Sequence, residues 1–182
     1  MTRKSAVAAT LLLVLAAGCG GSGAVPVNSP TSPLGGGGDP LGECLPDPSG
    51  TTMTNGLTVL ENHSKGTAVI EQVSFYGDRH LQLVDAVVVP IQDDAVGFSA
   101  GWPPAPFNLN QPGVQWGKRV AAVGARIPPG PAEGGNRNLV IAMRPTAREG
   151  TAAGVQVLYR ENGQQYELRT HTSYQVLIAK SC

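Results

Sequence analysis

The apolar positions of this chain fall in short, two-residue alternations separated by turn-forming residues. Leu57 and Val59 open one such run. Val69, Val73 and Phe75 share a face in the next, where Ile70 breaks the alternation and predicts a β-bulge. Leu81, Leu83, Val87 and Val89 alternate down a third run that is expected to end at Pro90, since proline cannot donate to a ladder. Leu139, Ile141 and Met143 make a fourth, stopped by Pro145. Val155, Val157 and Tyr159, then Asn162-Gly163, then Tyr166 and Leu168 read as a β-hairpin whose two turn residues tolerate positive φ. Val176 and Ile178 form a last strand, and Ala121 to Ile127 has room for a short one. Nowhere does an i, i+3, i+4 spacing persist beyond a turn. Seven or eight strands with Gly, Pro and Asn between them predict an all-β, antiparallel sandwich, with a closed barrel as the other architecture the pattern allows.

The amino terminus follows a different pattern. Arg3 and Lys4 precede an uncharged stretch from Ser5 to Ala17, which as a helix would rise about 20 Å, short of the roughly 30 Å hydrocarbon core. That is the form of a secretory signal. Leu15-Ala16-Ala17-Gly18-Cys19 resembles the lipobox of bacterial lipoproteins, with Ala16 where that family more often has Leu. The resemblance implies cleavage after residue 18, a thioether-linked diacylglycerol on Cys19, and anchorage on the extracytoplasmic face of the cell membrane. Two acyl chains hold where one is marginal. The Arg-over-Lys bias, nine to four, with abundant Ala, Gly, Pro and Val, resembles small secreted lipoproteins of high-GC actinobacteria.

Residues 19–43 follow. From Gly20 to Glu43 there are eight Gly and four Pro, no Lys or Arg, and no hydrophobic period. Such a stretch is expected to be a flexible tether, with an end-to-end distance of roughly 25–30 Å. The domain then runs from 44 to 182. Cys44 and Cys182 bracket it, and in a compartment that permits disulfides they are expected to pair as a staple. Metal ligation or a redox pair is the alternative, and the chain has neither a CxxC nor a His beside either Cys.

Within the domain, the stretch from Leu57 to Ile70, a strand, an Asn62-centred turn and a second strand, resembles the first hairpin of bacterial immunoglobulin-like domains. The resemblance implies an immunoglobulin-like sandwich, although the usual two core Cys around a Trp are absent.

Charge narrows the partners. The chain has 13 Lys+Arg against 13 Asp+Glu, and removal of the signal leaves a net charge of −2. No basic excess is present to release counterions from nucleic acid, and no polybasic run assists the membrane anchor. Catalytic signatures are missing: no G-x-S-x-G, no H-E-x-x-H and no phosphate-cradling glycine loop before a helix. Asp78-Arg79-His80 reads as a solvated turn; Asp93-Asp94 could ligate calcium but, without an EF-hand pattern, reads as an exposed turn; His63, His80 and His171, with Met53 or Met143, could hold copper or zinc only if the fold brought them together, which their spacing does not support. The expectation is therefore a non-catalytic module without cofactor or metal. An extracytoplasmic hydrolase or a metal-carrying sandwich stands as the alternative.

One segment invites a contact. Residues 98–117 hold four of the nine aromatics, Phe98, Trp102, Phe107 and Trp116, with Pro103, Pro104, Pro106 and Pro112 and no charge. Prolines holding rings present a surface with little entropy left to lose. Trp102, Phe107 and Trp116 are the expected contacts for a protein or glycan of the envelope, with Trp102 the most exposed. The competing expectation is that the rings fold back to cover an open end of the sandwich.

Overall fold

The computed structural model describes residues 33–36, 41–47, 49–92, 94–130 and 136–182. The signal segment, Cys19, residues 19–32 and 37–40 of the expected tether, and Asp93 lie outside them. Among the described residues the chain is all-β. It forms β1 (Leu34–Gly36), β2 (Leu41–Pro46), β3 (Met53–Asn62), β4 (Ala68–Tyr76), β5 (Leu81–Ile91), β6 (Gly97–Ala100), β7 (Val120–Ala121), β8 (Arg126–Ile127), β9 (Asn136–Pro145), β10 (Glu149–Ala152), β11 (Gly154–Glu161), β12 (Gln164–Arg169) and β13 (Thr172–Leu177). Eight of these strands have six residues or more; the other five are the short pieces that alternation cannot detect.

Strands β1-β3-β9-β5-β7 make one sheet, with β6 also paired to β3, while β12-β11-β4-β8 and β10-β13-β2 make two smaller ones. The large sheet faces the smaller two across a core of Leu60, Ile70, Val88, Leu139, Ile141, Met143, Val157 and Tyr159. Pairing is antiparallel except between β13 and β2, which run parallel.

The hairpin turn is as expected: Glu161 pairs with Gln164 around Asn162 and Gly163, at φ 49° and 81°. The bulge near Ile70 is present too. Register shifts between β4 and β11 so that Tyr159 faces Ile70 while Leu158 faces Gln72, leaving Glu71 as the extra residue. The bulge puts Ile70, Val73 and Phe75 together toward the core, with Val69 outside that set.

Four expectations need correction. First, β5 does not end at Pro90, which still pairs with Arg137, as Ile91 does with Asn136. The side on which proline lacks a donor lies past the end of β7, and its carbonyl there accepts from the Gln115 N–H at 3.0 Å. Second, Leu57 to Ile70 is not a hairpin, because β3 and β4 belong to different sheets. Asn62 shapes the corner: its Nδ2 donates to the carbonyls of Gly66 (2.8 Å) and Ile127 (2.9 Å), and its Oδ1 accepts from the Ser64 N–H (3.1 Å). Third, the folded part begins before Cys44. Leu34 is 1% exposed and its N–H donates to the Tyr159 hydroxyl, while residues 41–43 pair with β13. The glycines here mark close approach, since a Cβ on Gly36 would lie 2.8 Å from Leu168. Fourth, segment 120–127 is two strands rather than one, passing from β5 to β4 and so from one layer to the other.

Candidate functional site

The large sheet is buried on both faces. On β5 a register shift between Leu83 and Asp85 makes Val84 a bulge, so Leu81, Leu83, Ala86 and Val88 meet the core while Val87 and Val89 turn outward. Val59, Ile91, Val96 and Val140 join them in a second apolar cluster. Left open, that face would expose a large patch to water.

The uncharged segment 98–117 covers it. The segment starts at β6, on the β3 side, and ends at β7, on the β5 side, so it spans the outer face of the sheet. Trp102, Val114 and Trp116 pack on the second cluster. The two indoles meet edge to face, 5.8 Å between centroids at 83°. Trp102 Nε1 donates to Asp85 Oδ2 at 3.1 Å, and the Arg119 guanidinium lies 4.9 Å from the Trp116 ring centroid. The cover is therefore over a sheet face rather than over an end of the sandwich.

Two buried amides hold the start of the segment. Asn138, fully buried in β9, accepts from the Val96 N–H at 2.8 Å and donates to the Gly56 and Thr58 carbonyls at 2.9 and 2.8 Å. These three backbone groups sit where β3 and β9 slip register, so Asn138 satisfies what the ladder leaves open. Asn108 does the same above, donating to the carbonyls of Val96 (2.8 Å) and Phe98 (3.3 Å). Thr54 Oγ1 donates to Gly101, and the Gly101 N–H to Thr52.

Held this way, the short helix α1 (Pro106–Leu109) presents one ring outward: Phe107 is 80% exposed, and Phe98 is 54%. The expectation that Trp102 would be the most exposed ring is thus corrected. Both Trp residues are partly buried, because they pack on the cluster formed by the outward Val87 and Val89. Asn138, Asn108 and Asp85 are the residues that the alternation reading passes over. Each had a signal: an amide at the head of an apolar run, an amide inside an aromatic loop, and an acid in the middle of a leucine and valine alternation.

The other sequence-selected residues are scattered. Cys44 and Cys182 are joined in a disulfide, Cα atoms 6.1 Å apart. Arg79 bridges to Thr151 in both directions at 2.8 Å, and the His80 carbonyl accepts from the Thr146 N–H, so the Asp78-Arg79-His80 turn ties β4 and β5 to the β9–β10 corner. Met53 and Met143 face each other inside the core. His63 lies 3.7 Å from the Glu61 carboxylate on the surface, and His171 is exposed. Among the described residues no three His, Cys, Asp or Glu side chains gather as a metal-ligating group, and no helix is long and apolar enough to cross a membrane.

Three ionisable groups, Glu43, Tyr174 and Glu71, depart from their ordinary titration ranges. Glu43 is raised above its ordinary range, chiefly by burial, with the Asn55 Nδ2 donated at 2.6 Å acting in the other direction. Beside it, burial and the Glu43 charge push the Tyr174 hydroxyl upward. Glu71 is lowered by hydrogen bonds from Arg160 and Gln165.

No protein-family model matches the chain, and neither a curated protein nor a solved structure is significantly similar to it.

Proposed function

We propose that this chain is a lipid-anchored binding module of the bacterial cell envelope: a non-catalytic, immunoglobulin-like sandwich held to the extracytoplasmic face of the membrane through Cys19. It presents the Phe107 and Phe98 rings to a protein or glycan partner. The observation that carries this is the division of labour in segment 98–117. Trp102 and Trp116 are committed to the sheet, yet Phe107 is 80% exposed on a helix anchored by the buried Asn108. A ring fixed in water on a prepaid scaffold loses little entropy on binding, and aromatic anchors are where binding energy concentrates. The immunoglobulin-like assignment rests on the two facing, mainly antiparallel layers, with the Cys44–Cys182 disulfide tying the last residue of the chain to β2.

The anchor is tested by Cys19→Ser, which should shift the protein from the membrane pellet to the culture medium; continued membrane association removes the lipoprotein reading. The partner surface is tested by placing a photocrosslinking phenylalanine analogue at position 107 in the native envelope. A discrete adduct is expected there and not at the exposed Lys65. Equal labelling at both positions refutes the surface.

A further inference from the structure

Where segment 120–127 crosses between the layers, Val120 pairs with Val88 on the large sheet and Arg126 pairs with Val69 on β4. A turn closed by the Ala125 N–H on the Ala122 carbonyl (3.0 Å) joins them. Beside this crossing lies a groove of about 560 Å³, within the roughly 300–1,000 Å³ typical of small-molecule sites. Val88, Pro90, Val120 and Val123 give it an apolar lining, and Lys118, Arg126 and Arg137 give it cations. Among the described residues no acid lines it. Val120 and Val123 are 52% and 61% exposed, so apolar surface stands in water directly beside Lys118 and Arg126. The ordinary uses of such cations do not account for Lys118 and Arg126, whose side chains have no hydrogen bond or ion pair among the described residues.

We propose that this groove binds a free single-chain anionic amphipath of the fatty-acid class. Its carboxylate sits between Lys118 and Arg126, and its hydrocarbon lies along Pro90, Val120 and Val123. The chemistry selects for both halves. A small inorganic anion would use the cations and leave the valines wet; a neutral hydrocarbon would cover the valines and leave the cations idle; a sugar would find few polar partners on the lining. The site shares no residue with the Phe98 and Phe107 surface, so either can fail without the other.

The test is calorimetric titration of the full chain carrying Cys19→Ser, so that no attached acyl chain competes, with dodecanoate below its micellar concentration. Dodecanoate is expected to bind saturably at one site, with dodecanol at least tenfold weaker and acetate not bound. Lys118→Gln with Arg126→Gln should raise the dodecanoate Kd at least tenfold, Val123→Asp should do likewise, and Lys118→Arg should keep it within about twofold. All four substitutions are at exposed positions, and an unchanged thermal midpoint confirms that the fold is intact. Absence of saturable binding overturns the proposal, as does dodecanol binding as well as dodecanoate. A Kd indifferent to both the charge and the Val123 variants overturns it too, as does binding to anionic phospholipid vesicles without binding to dodecanoate.

Discussion

Replacing Trp102 with alanine separates a cover from a contact. A buried Trp side chain removes about 150–250 Å² from water, and since Trp102 keeps some exposure the lower end applies. At ~25 cal/mol per Å² that is about 3–4 kcal/mol, reduced by roughly 10–40% because the unfolded chain is not fully extended. The edge-to-face contact with Trp116 adds about 0.5–1.5 kcal/mol, and the surface hydrogen bond to Asp85 adds about 0.5. Partial closure of the loop over the gap takes some of this back, so the expected loss is about 3 kcal/mol, or a fall in Tm of roughly 6–12 °C for a domain of this size. Phe107→Ala, by contrast, should stay within about 0.5 kcal/mol of the parent. Urea unfolding of both variants, with Trp116→Ala and the double Trp variant to complete a cycle, measures all of it; the coupling between the two indoles should be about 0.5–1.5 kcal/mol. A Trp102→Ala loss under about 0.5 kcal/mol would refute the cover. A large loss for Phe107→Ala would return that ring to the core and remove it from the partner surface.

Asn138→Leu keeps the volume but strands the Val96 N–H and the Gly56 and Thr58 carbonyls. At about 1–3 kcal/mol for each unpaired group, the midpoint in urea should fall by the equivalent of at least about 3 kcal/mol, and a loss under about 1 would show that water replaces the amide. In the Cys19→Ser chain a thiol assay should find no free thiol, and Cys44→Ser with Cys182→Ser should cost on the order of 5 kcal/mol for a loop closed across 138 residues; two titratable thiols in the unmutated pair would exclude the staple. Glu43, raised by burial, binds its proton more tightly folded than unfolded, so stability falls as pH rises from its ordinary value of 4.5 through the folded pKa. Glu43→Gln should therefore gain on the parent between pH 4 and pH 7, and a difference in unfolding midpoint that ignores pH would refute the burial argument.

The parts of the fold legible in sequence were those set by local rules. Asn162-Gly163 specifies its turn because both residues accept positive φ, and that turn fixes the register of β11 and β12. The break in alternation at Ile70 announced a bulge, though not which residue it would extrude. Asp85 carried the same message and is easier to miss, because 81, 83, 87 and 89 still count in twos across it. Only the pairing with β9 shows that the count has slipped. The aromatic segment was legible as a segment, but the direction of each ring was not, since that depends on a second apolar face. The signal for that face is the unbroken runs Val87-Val88-Val89 and Leu139 to Met143, which describe strands buried on both sides rather than half-exposed ones. Gly35 and Gly36 failed in the opposite sense: composition cannot distinguish glycine that loosens a chain from glycine that lets two backbones close.

A sheet apolar on both faces normally needs a helix layer on its outer side, and the described chain has only one four-residue helix and one 3₁₀ turn. An uncharged proline-rich loop is the substitute, and its amino acids divide by direction. Pro104, Asn108, Trp102 and Trp116 face down or are held by the sheet, while Phe98, Pro103, Pro106 and Phe107 face water. Substitution at the second set leaves the cover in place, so binding preference there is separable from stability; substitution at the first set changes both. The single extra residue at Val84 couples the two arrangements. It turns Val87 and Val89 outward, which creates the face that needs covering, and it sets Asp85 on that face, where the covering indole finds its acceptor. One bulge in β5 thus determines why the loop is aromatic, where its first Trp is pinned, and which rings are left over to meet a partner.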